Sequence, residues 1–230
     1  MSSKGNAAEQ KNKKKRKPFR YFLYDFIKIT GALGAYFWLR PKRLFASKAA
    51  KKHVRGGAVV IANHTKITDP VALYFAFWYR RVHIMAMEEL FHTKMGNWFF
   101  CNALCIPVNR ENFSIDSFRS AVEVLEENGV LAIFPEGKIN SDTSTVNSFK
   151  SGALLMALRG NAPIVPVFLV APKKWYNRAV IVIGAPVDLK AICGDVRSLN
   201  AINEVSQKLR EKEIELMEIY STWKTRKSSK

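Results

Sequence analysis

The feature that most constrains the fold is an alternation of short apolar runs with helix-length stretches beyond residue 55. Helix-length stretches lie at 70–80, 114–128 and 148–159. This alternation is typical of a mostly parallel sheet covered by helices. We therefore predict an α/β fold with a central, mostly parallel mixed sheet flanked by helices. The apolar runs, rich in β-branched residues, are 58–62, 82–86, 104–108, 130–134, 164–170 and 179–184.

Charge divides the rest of the chain, which has 230 residues and a formal net charge of +18. Residues 1–18 are basic and poor in large apolar side chains, which predicts a disordered arm. We predict one α/β domain over 46–222, whose final amphipathic helix spans about 199–220, and a basic tail over 223–230. Basic ends attract polyanions, either nucleic acid or an anionic lipid surface.

The segment 19–45 favours lipid over nucleic acid. It is rich in aromatic residues and leucine, but Asp25 and Lys28 interrupt the apolar run about one helical turn apart. A membrane-spanning helix requires about 20 consecutive, predominantly apolar residues. We predict an N-terminal membrane-interfacial helical segment, either one helix or a short hairpin, lying on an anionic membrane surface. A buried core helix is the alternative for part of it.

Cysteine and histidine usage indicates compartment and cofactor. The three cysteines form no C-x-x-C pair, so we expect the reducing, cytoplasmic face of the cell membrane, with peripheral or monotopic attachment. His53, His83 and His92 lie in apolar or basic surroundings without paired carboxylates at ligand spacing. We expect no metal and no cofactor.

Polar residues follow two of the predicted strands. The run 58–62 ends directly in Asn63 and His64, and Asp69 and Pro70 make a helix start, with Asp69 at the N-cap. We expect the Asp69 carboxylate to receive the imidazole N–H, which leaves the other ring nitrogen free to take a proton from an alcohol. The alternative makes Asp69 only a cap and His64 a surface loop residue.

Glu136 and Gly137 similarly follow the predicted strand 130–134. Loops at the carboxyl ends of parallel strands meet at one edge of a sheet. The two polar loops therefore predict one convergent site.

Four blocks follow one another along the chain: NHTKITD (63–69), CIPVNR (105–110), FPEGKIN (134–140) and PIVPV (163–167). In this order they resemble the lysophosphatidate (1-acyl-sn-glycerol-3-phosphate) acyltransferase family of glycerolipid acyltransferases. The match covers roughly residues 55–185, and its first block carries the family's His-four-residues-Asp motif. Further agreement comes from EELF (88–91) and FKSGA (149–153).

The resemblance implies transfer of a fatty acyl group from acyl-CoA or acyl carrier protein to the free hydroxyl of lysophosphatidate, giving phosphatidate for phospholipid biosynthesis. His64 would be the general base and Asp69 its orienting partner, so the catalytic pair is His64 and Asp69. Arg110 would bind the acceptor phosphate, and the fourth block would serve the acyl-donor side and the structure. The substrate-binding set is Asn63, Arg110, Glu136, Gly137 and Lys138.

The third block departs from the family. The family commonly has Glu-Gly-Thr-Arg-Ser, whereas this chain has Ile139 in place of the arginine, and isoleucine cannot bind an anion. Lys138 supplies a charge one residue earlier, although a lysine lacks the bidentate fork of arginine. A different lysolipid acceptor, and a solvated Lys138, are the alternatives.

Two other classes of protein stay open. A nucleic-acid-binding protein would explain the charge, but no recognition motif for nucleic acid is present, so we expect no nucleic-acid partner. A lipid-binding protein without catalysis would explain the altered third block. The retained His64, Asp69 and Glu136 favour an enzyme over such a lipid-binding protein.

Overall fold

A computed structural model describes residues 3–109, 114–140, 142, 145–172, 174, 177–189 and 199–229, with the backbone alone for 3–18 and 199–201. Within these residues lie seven strands and six α-helices. The strands are β1 (Lys42–Phe45), β2 (Ala58–Ala62), β3 (Val82–Met87), β4 (Cys105–Val108), β5 (Val130–Ile133), β6 (Ile164–Val170) and β7 (Val180–Ile183). The helices are α1 (Ser3–Leu39), α2 (Asp69–Ala76), α3 (Lys94–Asn102), α4 (Ile115–Glu126), α5 (Gly152–Arg159) and α6 (Leu199–Ser228).

The strands form one mixed sheet in the order β1-β7-β6-β2-β5-β3-β4. Pairing is parallel throughout except between β6 and β7, so β1 and β7 run opposite to the other five. Every residue of β2, β5, β6 and β7 is buried. Strands covered on both faces need such continuous apolar runs. The prediction of a mostly parallel mixed sheet flanked by helices is confirmed.

Helices cover the sheet on both faces. On one face, Leu73 of α2 and the following Phe77 pack on side chains such as Val60. On the other face, α4, α5 and α6 contribute to a second cluster around Ile61 and Leu131. Residues of β2 alternate between these two clusters, as the twofold repeat of a strand requires. The sheet is therefore the middle of three layers.

The amino-terminal region differs from its prediction. Instead of a disordered arm over 1–18, the structure has a helix that begins at Ser3 and continues to Leu39. Lysine, glutamine and alanine are good helix formers, and extending an existing helix is far easier than nucleating one. The segment predicted at 19–45 also ends too late, because Lys42–Phe45 pairs with β7 as an edge strand of the sheet.

The charges that interrupt the apolar run of α1 bind the domain. Arg81 forms a salt bridge with Asp25 at 2.6 Å, and the ammonium of Lys28 donates to the carbonyls of Trp78 and Arg80. Tyr24 is buried, and its hydroxyl accepts from the N–H of Val82 at 3.1 Å. These contacts fix one side of α1 against the domain.

The opposite side of α1 is exposed and strongly apolar. We call it the aromatic stripe, since its spacing of three to four residues places all its members along one helix side. Its members are Phe19, Phe22, Phe26, Ile29, Leu33 and Phe37, each more than half exposed. Among the described residues, no helix combines the length and the hydropathy that crossing a bilayer demands.

The carboxyl-terminal helix is longer than predicted. The sequence placed its end near residue 220 and a basic tail over 223–230, whereas α6 continues to Ser228. Trp223 explains part of the extension, because it packs against the cluster around Phe168. α6 thus spans the outer face of β6 and β7.

Candidate active site

The site forms where β2 and β5 end. These strands are parallel neighbours, and Ile61 lies opposite Ile133. The loops that follow therefore leave the sheet side by side. As a result, the ring of His64 stacks on Phe134 with centroids 4.2 Å apart and planes 20° apart.

The imidazole of His64 is held by Asp69. The Nδ1 atom lies 3.0 Å from Oδ2 of Asp69, and since an ionised carboxylate only accepts, Nδ1 donates. The proton on Nδ1 leaves Nε2 as the basic nitrogen. The side chain of His64 is 12% exposed and that of Asp69 is 2% exposed. The expected pairing of His64 with Asp69 is therefore present in the structure.

Asp69 is held by donors from its own loop. Its Oδ2 accepts from the backbone N–H groups of Thr65 at 2.5 Å and Lys66 at 2.7 Å, while the hydroxyl of Thr65 lies 3.2 Å from Oδ1. Asp69 is the first residue of α2, and the N-cap is Thr68. The prediction of Asp69 as N-cap was wrong because its carboxylate turns back towards the His64 loop instead of towards the helix.

Asn63 extends the sheet where the backbone of β2 leaves it. Its side-chain amide donates to the carbonyl of Leu169 at 3.0 Å and accepts from the N–H of Leu169 at 2.6 Å. The side chain thus imitates one more residue of strand pairing with β6. Asn63 is 2% exposed, so it fixes the start of the His64 loop, and its predicted role in substrate binding stays a prediction.

Glu136 is buried beside a second loop. Its Oε2 accepts from the side-chain amide of Asn147 at 2.5 Å and from the N–H of the same residue at 3.3 Å. Its Oε1 accepts no hydrogen bond from the described residues. The carboxylate is therefore only half satisfied, unlike that of Asp69.

Gly137 allows the backbone of the third block to pass close to the side chain of Lys150. Its φ of +67° lies in the left-handed region, and a Cβ there would lie 3.2 Å from Cε of Lys150. The N–H of Lys150 also donates to the carbonyl of Pro135 at 3.0 Å. Glycine therefore lets a lysine side chain lie directly against this block.

The structure places the remaining predicted site residues as follows. Lys138 and Ile139 are exposed, and the next residue, Asn140, donates its N–H to the carbonyl of His64 at 2.6 Å. The third block is thereby tied to the first. Arg110 lies outside the described residues, two positions after the end of β4. The fourth block, 163–167, lies mostly within the fully buried β6.

Sequence reasoning missed the residues that support the third block. Asn147 and Lys150 contact Glu136 and Gly137 directly, as described above. The guanidinium of Arg210, on α6, donates to the carbonyls of Val146 and Asn147. No spacing rule links Arg210 to these positions. The motif FKSGA was the one available signal, since it contains Lys150.

No metal site emerges from the described part of the chain, where no three His, Cys, Asp or Glu side chains converge. Our expectation of a reaction without metal or cofactor stays a prediction. The chemistry that the residues offer is a basic imidazole nitrogen beside two polar loops.

Comparisons with known proteins agree with this geometry. A family model described as Acyltransferase matches residues 43–170, which is more than half of the chain. The chain is 30% identical over 136 residues to a 1-acyl-sn-glycerol-3-phosphate acyltransferase of Bacillus subtilis, covering 57% of this chain and 67% of that protein. A protein of the same name from Streptococcus pneumoniae is 28% identical over 148 residues, covering 62% of this chain and 53% of that protein.

A solved structure shares the fold. The crystal structure of the 1-acyl-sn-glycerophosphate acyltransferase from Thermotoga maritima aligns with a TM-score of 0.57 and 22% identity, covering 87% of this chain and 82% of that one. The likeness extends beyond the residues that the family model matches. From the family match, the relatives and the shared fold together, the chain belongs to the acyltransferase family, as its resemblance to the lysophosphatidate acyltransferases predicted.

Proposed function

We propose that this chain is a 1-acylglycerol-3-phosphate O-acyltransferase that forms phosphatidate from lysophosphatidate. The observation that carries the proposal is the hydrogen-bonded pair of His64 and Asp69 at the carboxyl end of β2. The names of the Bacillus and Streptococcus relatives support the acceptor.

In the proposed reaction, Nε2 of His64 takes the proton of the acceptor's glycerol hydroxyl. The oxygen attacks the thioester carbonyl carbon, and a tetrahedral intermediate forms. Collapse of the intermediate breaks the C–S bond and releases a thiolate, which receives the proton from the imidazolium. Asp69 keeps the proton on Nδ1 and stabilises the imidazolium, while Phe134 limits rotation of the ring. Such proton transfer is typically worth about 10²–10⁴-fold in rate.

The acceptor phosphate needs positive charge near this loop. Lys138 and Lys150 both carry exposed side chains at the third block, and Lys150 lies against Gly137. These two ammonium groups are candidates to replace the arginine that the family has where this chain has Ile139. Arg110 remains a candidate by the resemblance alone. A lysolipid without a free phosphate monoester would not need these charges.

We further propose that the aromatic stripe lies on an anionic membrane surface, at the cytoplasmic face. The exposed side chains Met95, Trp98 and Phe99 of α3 add to the apolar area beside α1, and Arg20 of α1 donates to the carbonyl of Cys101. Exposed apolar patches of this kind mark interaction sites, and amphipathic helices with basic residues bind anionic lipid.

Replacing Phe22 and Ile29 with glutamate should abolish sedimentation of the protein with vesicles of phosphatidylglycerol and phosphatidylcholine. Replacing Ile115, which is exposed on α4, should have no effect.

The experiment that tests the proposed activity measures acyl-lipid products of the purified protein in detergent. Acyl-CoA and acyl carrier protein are offered as donors, with lysophosphatidate, lysophosphatidylcholine or monoacylglycerol as acceptors. We expect phosphatidate from lysophosphatidate and little product from the other two. Preference for another acceptor would reassign the substrate, and absence of product with every donor and acceptor would contradict the proposed function.

A further inference from the structure

The carboxyl-terminal helix reaches the third block through Arg210. The Nε atom of Arg210 lies 2.9 Å from the carbonyl oxygen of Val146 and 3.2 Å from that of Asn147, while Nη2 lies 2.7 Å from the former. Asn147 in turn donates both its backbone and its side-chain N–H groups to Glu136. A continuous path of hydrogen bonds therefore links α6 to the acid of the third block.

Glu213 lies on the same side of α6, one turn after Arg210. Residues three apart on a helix share a face, so both side chains are directed towards the same part of the domain. Glu213 is 0% exposed, and neither of its oxygens accepts a hydrogen bond from the residues that the structure describes. A buried carboxyl group without a partner is costly, and proteins seldom keep one without a reason.

Oε1 of Glu136 lacks a hydrogen-bond donor, and a protonated Glu213 is able to supply one. Oε2 of Glu136 has two donors from Asn147, while Oε1 has none among the described residues. Burial, and then the negative charge of Glu136, raise the pKa of Glu213 well above its ordinary value. Arg210, one turn before Glu213 on the same side of α6, binds the segment that holds Glu136, so the two buried carboxyl groups belong to the same part of the domain. Two buried carboxyl groups that interact tend to share one proton rather than both ionise. Because neither oxygen of Glu213 has a donor among the described residues, the proton belongs on Glu213.

We propose that Glu213 is a positioning residue, which donates a hydrogen bond to Oε1 of Glu136 and, together with Arg210, fixes the third block for the acceptor. Glu213 touches neither substrate nor reacting atoms in this account. It acts through Glu136, whose neighbours Gly137 and Lys138 face the acceptor in the proposed function. The inference rests on that proposed function for its catalytic consequence, but its structural part is independent of which acceptor is used.

Three variants separate positioning from simple structural support. Glu213→Leu removes the donor and keeps the site buried. Glu213→Gln keeps an N–H donor of the same length. Ser206→Ala is the matched control, since Ser206 is also buried on α6, and its hydroxyl makes no hydrogen bond to the described residues.

The test combines acceptor kinetics, melting temperature and hydrogen exchange of the segment 134–150. For Glu213→Leu we expect an acceptor KM about tenfold higher, the change that corresponds to one lost hydrogen bond to a charged group. We also expect faster exchange across 134–150 at an unchanged or higher melting temperature, since the apolar side chain suits a buried site. Glu213→Gln should restore both readouts, and Ser206→Ala should change neither.

Each outcome decides the proposal. A higher melting temperature for Glu213→Leu, with KM and exchange as in wild type, would reduce Glu213 to an unused buried group and overturn it. Faster exchange only in Glu213→Leu, in a protein without activity towards any acceptor, would support the positioning role while contradicting the proposed function. Normal activity and exchange in every variant would leave the proposed function intact and remove the positioning role.

Discussion

Asp69 and Glu136 are both buried carboxylates at the same edge of the sheet, yet they are held in opposite ways. Every donor to Asp69 lies within five residues of it along the chain. The donors to Glu136 come from Asn147, which is positioned by Arg210 of the last helix. The first loop is therefore a local arrangement, whereas the third block depends on contacts that form only when the whole domain has folded.

The comparison assigns different roles to the two acids. Asp69 is surrounded by donors and works on one neighbour, the imidazole of His64. Glu136 has a free oxygen among the described residues and couples the third block to α6. We expect changes at Asp69 to reduce the rate of the chemical step and changes around Glu136 to affect acceptor binding and pH-dependent stability.

The largest expected effect is that of Asp69→Asn. An amide has one acceptor oxygen for the four donors around Asp69 and adds N–H groups where donors already point, so the His64 tautomer is no longer fixed. We expect kcat to fall about 10²–10⁴-fold, as for loss of general-base catalysis, and the free energy of unfolding to fall by about 1–3 kcal/mol. Steady-state kinetics and urea denaturation measure these two changes.

Asp116→Asn is the matched control for that variant. Asp116 also lies in the first turn of a helix, but its side chain is 90% exposed, and its salt bridge among the described residues is with Arg119, which is also exposed. We expect neither kcat nor stability to change. If Asp69→Asn behaved like Asp116→Asn, the contrast between the two buried acids would disappear.

The next effect concerns the pH dependence of stability. The raised pKa of Glu213, faced by Glu136 and flanked by Arg210, means that the folded chain keeps a proton that the unfolded chain releases above about pH 4.3. Stability must therefore fall as the pH rises from there towards the folded pKa. Relative to Glu213→Gln, the wild type should lose up to about 1.4 kcal/mol per pH unit in that window. Parallel stability curves for the two proteins would show that Glu213 ionises normally.

The smallest expected effect tests the backbone of the third block. Gly137→Ala places a Cβ at a φ of +67°, which costs about 1–2 kcal/mol, and pushes on the flexible end of Lys150. Gly152→Ala is the control, because its Cβ would meet Met156 at an ordinary 3.7 Å within α5, and it should stabilise by about 0.4–1 kcal/mol. Thermal denaturation of both variants gives the comparison. Equal stabilities would contradict the strained geometry of Gly137.

The same contrast explains how much the sequence predicts. The runs 58–62 and 164–170 coincide with β2 and β6, because β-branched apolar residues bounded by polar ones report burial directly. The pairing of His64 with Asp69 likewise depends on six consecutive residues, 64–69. Local patterns carried the fold class and the first half of the site.

The predictions that failed depend on contacts between residues that are far apart in the sequence. Strand β1 has two exposed basic residues and is defined by its pairing with β7, not by its own composition. Helix α2 ends at Ala76, earlier than predicted, and beyond its end the guanidinium of Arg80 donates to the carbonyls of Val54 and Gly56. The supports of Glu136 belong to the same category. None of these contacts has a sequence signature.

The most direct test of the central claim compares acyl transfer to lysophosphatidate by wild type, His64→Ala and His53→Ala. His53 is the matched histidine, since it also stacks on an aromatic ring, that of Tyr79, but lies apart from the Asp69 loop. The account predicts that His64→Ala loses about 10²–10⁴-fold in rate at an unchanged melting temperature, while His53→Ala stays within about twofold of wild type. Comparable rates for wild type and a folded His64→Ala would contradict the assignment of His64 as the general base.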